Sequence, residues 1–136
     1  MSPTATALLG FAAWTIALVV LLGLYRSGLV MGGKKAANQF NPSGEDLEGF
    51  GRRLTRAHAN CYENLPVAAA VLLYAIATRQ ESATDPLAYV FLGARIAQSV
   101  VHLISTSRPF VLIRFTLFLV QVAILVFWLL KFFGVL

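Results

Sequence analysis

The sequence predicts an all-α integral membrane protein, a four-transmembrane-helix bundle, and three observations carry that expectation. Of 136 residues, 58% are hydrophobic and 12% are charged, with a mean hydropathy of +0.74. Soluble domains average about 45–50% apolar and about 25% charged residues. A chain this short leaves much of its surface exposed even when folded, so lipid has to cover the apolar excess. The chain also divides into four stretches of the length that crosses the roughly 30 Å hydrocarbon layer as a helix. Disorder, collagen and coiled coil need the opposite composition or a strict repeat. By length this is one domain over residues 1–136.

The first span is expected at residues 5–25, where Ala5 to Leu24 carries no charge. A signal peptide would place a basic segment before a shorter apolar core; only Met1-Ser2-Pro3-Thr4 precedes it here, so it reads as a retained span. Residues 26–52 form a polar connection with Lys34-Lys35, Asn41-Pro42-Ser43-Gly44 and Glu45-Asp46. It is too long for a plain turn, which suggests a functional loop. Ser43 with Asp46 is a weak capping-box signal for the next helix.

The second span, residues 53–78, is polar in its first half and apolar in its second, and Pro66 should kink it. A polar turn over Arg79–Asp85 leads to a third span at residues 86–105. Ser107-Arg108-Pro109 then breaks the chain before a fourth at residues 110–133. Basic residues mark the cytoplasmic side. Arg26, Lys34, Lys35, Arg52, Arg53 and Arg56 flank the first connection, and Arg108 lies in the third. Loop 26–52 is therefore expected in the cytoplasm and both termini on the far side.

The net charge of +5 and pI near 9.9 would suit nucleic acid, but that needs a solvated basic face, and no nucleic-acid partner is expected. The single cysteine, Cys61, allows no internal disulfide, and no metal-ligand spacing exists.

Ionisable groups inside a span normally face protein or water and mark function. At about 100° per residue, Arg56, Asn60 and Glu63 fall at about 300°, 340° and 280° from Arg53, one shared face. On the third span, Gln98, Ser99, His102 and Thr106 fall within about 60° of Arg95. Arg114 and Gln121, seven apart, share a face of the fourth. His58 and Cys61 lie off the second-span stripe and read as packing or supporting groups. Trp14, Tyr89 and Trp128 read as lipid or interface aromatics.

Two interpretations of the stripes stand. They can hold helices together, through a Glu63–Arg95 pair or amide bonds worth about 0.6–2 kcal/mol each. Alternatively, four arginines (Arg53, Arg56, Arg95, Arg114) against Glu63 alone call for an anion, because guanidinium forks match carboxylates in pairs. A ligand with two carboxylates and one ammonium fits that set, and glutathione has this pattern. A small proton-coupled exporter is disfavoured, since its first span would carry an acidic residue and Ala5–Leu24 has none.

The run Arg53-Leu54-Thr55-Arg56-Ala57-His58-Ala59-Asn60-Cys61-Tyr62-Glu63-Asn64-Leu65-Pro66 resembles the signature of the MAPEG family, the membrane-associated proteins in eicosanoid and glutathione metabolism. Lys34-Lys35-Ala36-Ala37-Asn38 and Gly93-Ala94-Arg95-Ile96-Ala97-Gln98-Ser99 resemble its other segments, so the likeness covers nearly the whole chain. It implies a homotrimer in a bacterial inner membrane, similar to bacterial-type microsomal glutathione transferases. Glutathione, the cosubstrate, would lie between subunits. Arg53, Arg56, Asn60, Glu63, Arg95, Gln98 and His102 would bind it, and Arg114 would be the catalytic residue that stabilises its thiolate. The implied reaction is attack on a hydrophobic small molecule dissolved in membrane lipid, or reduction of a lipid hydroperoxide. His102 stands where eicosanoid-making members carry tyrosine, which points to general transferase or peroxidase chemistry. The family's non-catalytic, lipid-binding member supplies the alternative.

Overall fold

The computed structural model describes residues 1–136 as four helices in chain order: α1 (Pro3–Met31), α2 (Phe50–Ala77), α3 (Glu81–Ile104) and α4 (Arg108–Phe132). Of these, α1, α3 and α4 are long and apolar enough to cross a membrane. By the same measure α2 falls short, because Arg52, Arg53, Arg56 and Glu63 load its first half. Neighbours run antiparallel. One end of the bundle therefore gathers the C-termini of α1 and α3, the N-termini of α2 and α4, and connection 32–49.

The first helix outruns its apolar stretch by six residues. Polarity ends a hydropathy run, whereas a helix ends only where the backbone can leave it. Here that is Gly32-Gly33: Gly33 adopts φ 71°, so Lys34 N–H turns back onto the Leu29 carbonyl at 3.0 Å and Gly33 N–H onto Val30 at 3.1 Å. The connection is thus shorter than residues 26–52. The Ser43–Asp46 cap is not formed: Ser43 Oγ donates to Asn41 Oδ1 at 2.8 Å, Asp46 pairs with Lys35 at 2.9 Å, and Gly49 starts α2. Arg52 fastens the connection to α2 by donating to the Leu47 and Glu45 carbonyls at 3.0 and 2.7 Å.

Lys35 holds the Asp46 carboxyl below its ordinary range through a hydrogen bond. A depressed carboxylate pKa contributes stability above its unfolded value and loses it as pH falls through the folded one. The loop should therefore loosen only in acid below the usual carboxylate range, seen as faster proteolysis within residues 32–49.

The third helix begins at Glu81, five residues before the expected Pro86, and it takes in most of the supposed polar turn. Proline is tolerated near a helix start, where little of the ladder precedes it. The early start has a use: the Asp85 carboxylate accepts from Thr4 N–H at 3.0 Å and from Thr4 Oγ1, capping α1 from a neighbouring helix. A carboxylate at a helix N-terminus also meets the positive end of its dipole. Asp85→Ala is expected to lower stability by about 1–3 kcal/mol, measured as a fall in thermal midpoint in detergent.

The core runs between the helices from Leu54 and Leu22 to Trp128 and includes Ala7, Phe11, Leu18, Cys61, Leu72, Ala88 and Phe91. Alanines let α1, α2 and α3 approach closely, as membrane helices need. Phe11, Phe91 and Trp128 stack across α1, α3 and α4, with ring centres 6.0 and 5.5 Å apart. Trp128 is fully buried rather than lipid-facing. It lies seven residues beyond Gln121 and fourteen beyond Arg114, on the one face that α4 turns inward. Trp14 also packs on this core, whereas Tyr89 is exposed. The rest of α4, including Leu112, Phe115, Leu119, Val126 and Phe127, is open on the single chain.

Candidate functional site

Each helix delivers its polar stripe differently. On α3 the stripe is the buried face itself: Arg95, Gln98 and Ser99 are all buried, with Arg95 only 1% exposed. On α2 the stripe lies at the edge of the packed face. Asn60 reaches inward, while Arg56 and Glu63 stand open. On α4, Arg114 and Gln121 mark the inward face before it turns apolar at Ile124 and Trp128.

Asn60 is the hub. Its Oδ1 accepts from Arg95 Nη1 at 2.5 Å and from Gln98 Nε2 at 3.2 Å. Gln98 Oε1 in turn accepts from Gln121 Nε2 at 2.8 Å, and Gln121 also donates to the Leu117 carbonyl at 3.0 Å. This network ties α2, α3 and α4 into one unit. The Arg95 guanidinium lies 5.2 Å from the Phe11 ring centre, a cation–π contact that offsets part of its desolvation. No carboxylate pairs with it. The Glu63–Arg95 bridge is not formed, and Lys35–Asp46 is the one ion pair of the chain. Cys61 is sealed inside, 3.2 Å from Ser99 Oγ.

Above this network, toward the loop end, opens a cleft of about 320 Å³ lined by Arg56, Asn60, His102, Thr106 and Arg114 alone. It contains no carboxylate and no apolar side chain. Neither Arg56 nor Arg114 makes a side-chain hydrogen bond or ion pair to the chain, so their forks are free. A second cleft of about 230 Å³ shares Asn60 and Arg114 and adds Gln98, Val111, Phe115 and Phe118. The two clefts adjoin at Asn60 and Arg114 between α2, α3 and α4, one cationic and the other partly aromatic. Arg114 stands at the boundary.

The predicted residues are therefore placed as follows. Arg56, Asn60, His102 and Arg114 line the polar cleft, Gln98 lines its apolar neighbour, and Arg95 lies buried behind Asn60. Arg53 turns to α3, where its Nε closes the helix end on the Leu103 carbonyl at 2.8 Å. Glu63 lines neither cleft and is exposed on the outer face of α2. Thr106 and Gln121, expected only as members of the polar stripes, line or support the clefts, and Val111, Phe115 and Phe118 join them without having been singled out. Val111, Phe115 and Phe118 sit at −3, +1 and +4 from Arg114, on one flank of its helix face. That spacing was visible; what lay across from it was not.

The family model described as MAPEG family matches residues 4–134 of the chain. No curated protein and no solved structure matches it.

Proposed function

Since the chain belongs to the MAPEG family, we propose that it is a membrane-bound glutathione-dependent transferase or peroxidase whose reaction centre is the Arg114 boundary. Membership supports a general role in eicosanoid or glutathione metabolism. The observation that carries the narrower reading is the pairing of a cleft with cationic and neutral polar walls and no acid with an aromatic cleft at one arginine. A soluble anionic thiol and an apolar electrophile need such a junction to meet.

Arg56 and Arg114 would hold carboxylate or thiolate charge through unpaired forks, with Asn60, His102 and Thr106 supplying neutral contacts. Arg114 would place a fixed cation beside sulfur, favouring the thiolate over the thiol. Phe115 and Phe118 would hold the electrophile against it and exclude water. In transfer, a carbon–sulfur bond forms as the electrophile's leaving group departs with its bonding pair. In peroxide reduction, the thiolate attacks a peroxide oxygen and the O–O bond breaks, leaving the alcohol after protonation and a glutathione sulfenic acid. A second glutathione thiol then displaces water from the sulfenic acid to give the disulfide. Arg95 acts at one remove, by positioning Asn60.

Four spans and a homotrimer belong to the same proposal. Exposed Glu63, partway along α2, is costly against lipid on one chain, and a neighbouring copy would cover it. Glu63 would then offer its carboxylate to the glutathione ammonium at the subunit boundary. The basic loop end would face the cytoplasm, leaving both termini on the other side.

The test is ligand-linked stability. A ligand that binds only the folded state raises the thermal midpoint. Millimolar glutathione is expected to raise that of the purified protein and to give an ultraviolet thiolate signal on mixing. Absence of both would overturn the reading. Binding without turnover of any hydrophobic electrophile would select the non-catalytic, lipid-binding alternative.

A further inference from the structure

A second basic feature lies apart from the cleft, where α1 meets the loop. A depression of about 410 Å³ is lined by Arg26, Ser27, Val30, Met31, Ala37 and Phe40. Arg26 is half-buried there, its guanidinium carbon 5.3 Å from the Phe40 ring centre. Its guanidinium donates no hydrogen bond to the chain, and its Nε is buried without a partner. No carboxylate neutralises it, and Asp46 in the connection pairs with Lys35. Lys35 Nζ lies 5.5 Å from the same ring and adds to the positive field. A half-buried guanidinium with unused donors and no counter-ion favours an external anion.

Position says which anion. Ala5 to Leu24 is twenty residues without charge, about 30 Å of helix at 1.5 Å per residue, so Arg26 emerges at the headgroup level. Ser27 is exposed beside it, and Val30, Met31, Ala37 and Phe40 offer apolar contact. We propose that this depression binds the phosphate headgroup of an anionic phospholipid. The Arg26 fork and the Ser27 hydroxyl hold the phosphate oxygens, and Phe40 covers the guanidinium. The site is separate from the Arg114 cleft and does not depend on the glutathione reading.

The test uses the full chain in neutral detergent without glutathione, titrated with phosphatidylglycerol, phosphatidylcholine or soluble glycerol phosphate. Thermal midpoint and lipid retained in native mass spectrometry are read together. Phosphatidylglycerol is expected to stabilise the protein and to be retained, the other two not. Arg26→Gln is expected to weaken the apparent affinity by about tenfold or more, the loss of a charge-assisted contact. Ser27→Asp changes an exposed helix position without touching the fold, and it is expected to abolish retention by repelling phosphate. Arg108→Gln, at the same end but outside the depression, is expected to leave retention intact. Equal stabilisation by glycerol phosphate, unchanged retention in both Arg26→Gln and Ser27→Asp, or equal loss in Arg108→Gln would each overturn the proposal.

Discussion

Arg114→Ala is expected to lower kcat/KM for glutathione conjugation by about a hundredfold or more, the loss typical of removing one preorganised charge-stabilising donor. The thermal midpoint is expected to stay nearly unchanged. The two readouts separate because the Arg114 side chain makes no hydrogen bond or ion pair within the chain, so folding does not need its fork. Arg114→Lys keeps the charge without the planar fork and is expected to recover part of the rate. The ultraviolet thiolate signal should fall in parallel, since a distant binding role would spare it. Conjugation of a chlorinated dinitrobenzene at an undiminished rate would remove Arg114 from the chemistry.

Asn60→Leu is expected to act in the opposite way, on stability first. Asn60 Oδ1 is the side-chain acceptor for both Arg95 and Gln98. Without it, a guanidinium that is 1% exposed keeps only the Cys61 thiol and the Phe11 ring as partners. Leaving a buried charged donor without its acceptor costs about 1–3 kcal/mol or more. The thermal midpoint should fall accordingly. The double variant Asn60→Leu with Arg95→Met is expected to regain most of the loss, because replacing both partners with apolar groups is often close to neutral. A single variant within about 1 kcal/mol of the parent, or a double variant no better than the single, would show that the network is not the tie between α2, α3 and α4.

Much of this could be read from residue order. Charge-free Ala5–Leu24 and the apolar run after Arg114 mark α1 and α4 by length and hydropathy, because lipid selects on those properties alone. The seven-residue spacing of Arg114 and Gln121 placed both on one face, and Trp128 continues it. Element ends were less legible. The end of α1, six residues beyond the expected span, depends on the left-handed conformation at Gly33. The early start of α3 lets Asp85 cap α1 at Thr4, some eighty residues away in the chain.

The sequence by itself determined the solvent, the helical class and the family, and it identified which polar residues share a helical face. Those are properties of composition and of a 3.6-residue period, and neither needs a partner helix. Tertiary structure alone decided how the faces meet. It sent Arg53 to the end of α3, left Glu63 on the outside, sealed Arg95 behind Asn60, and set Arg114 between a polar and an aromatic wall. Helical periodicity gives the angle of a side chain about its own axis and nothing about the neighbouring axis. The rotation and depth at which four helices pack is settled by the alanines and aromatics of the core, and that packing turns three stripes into one site.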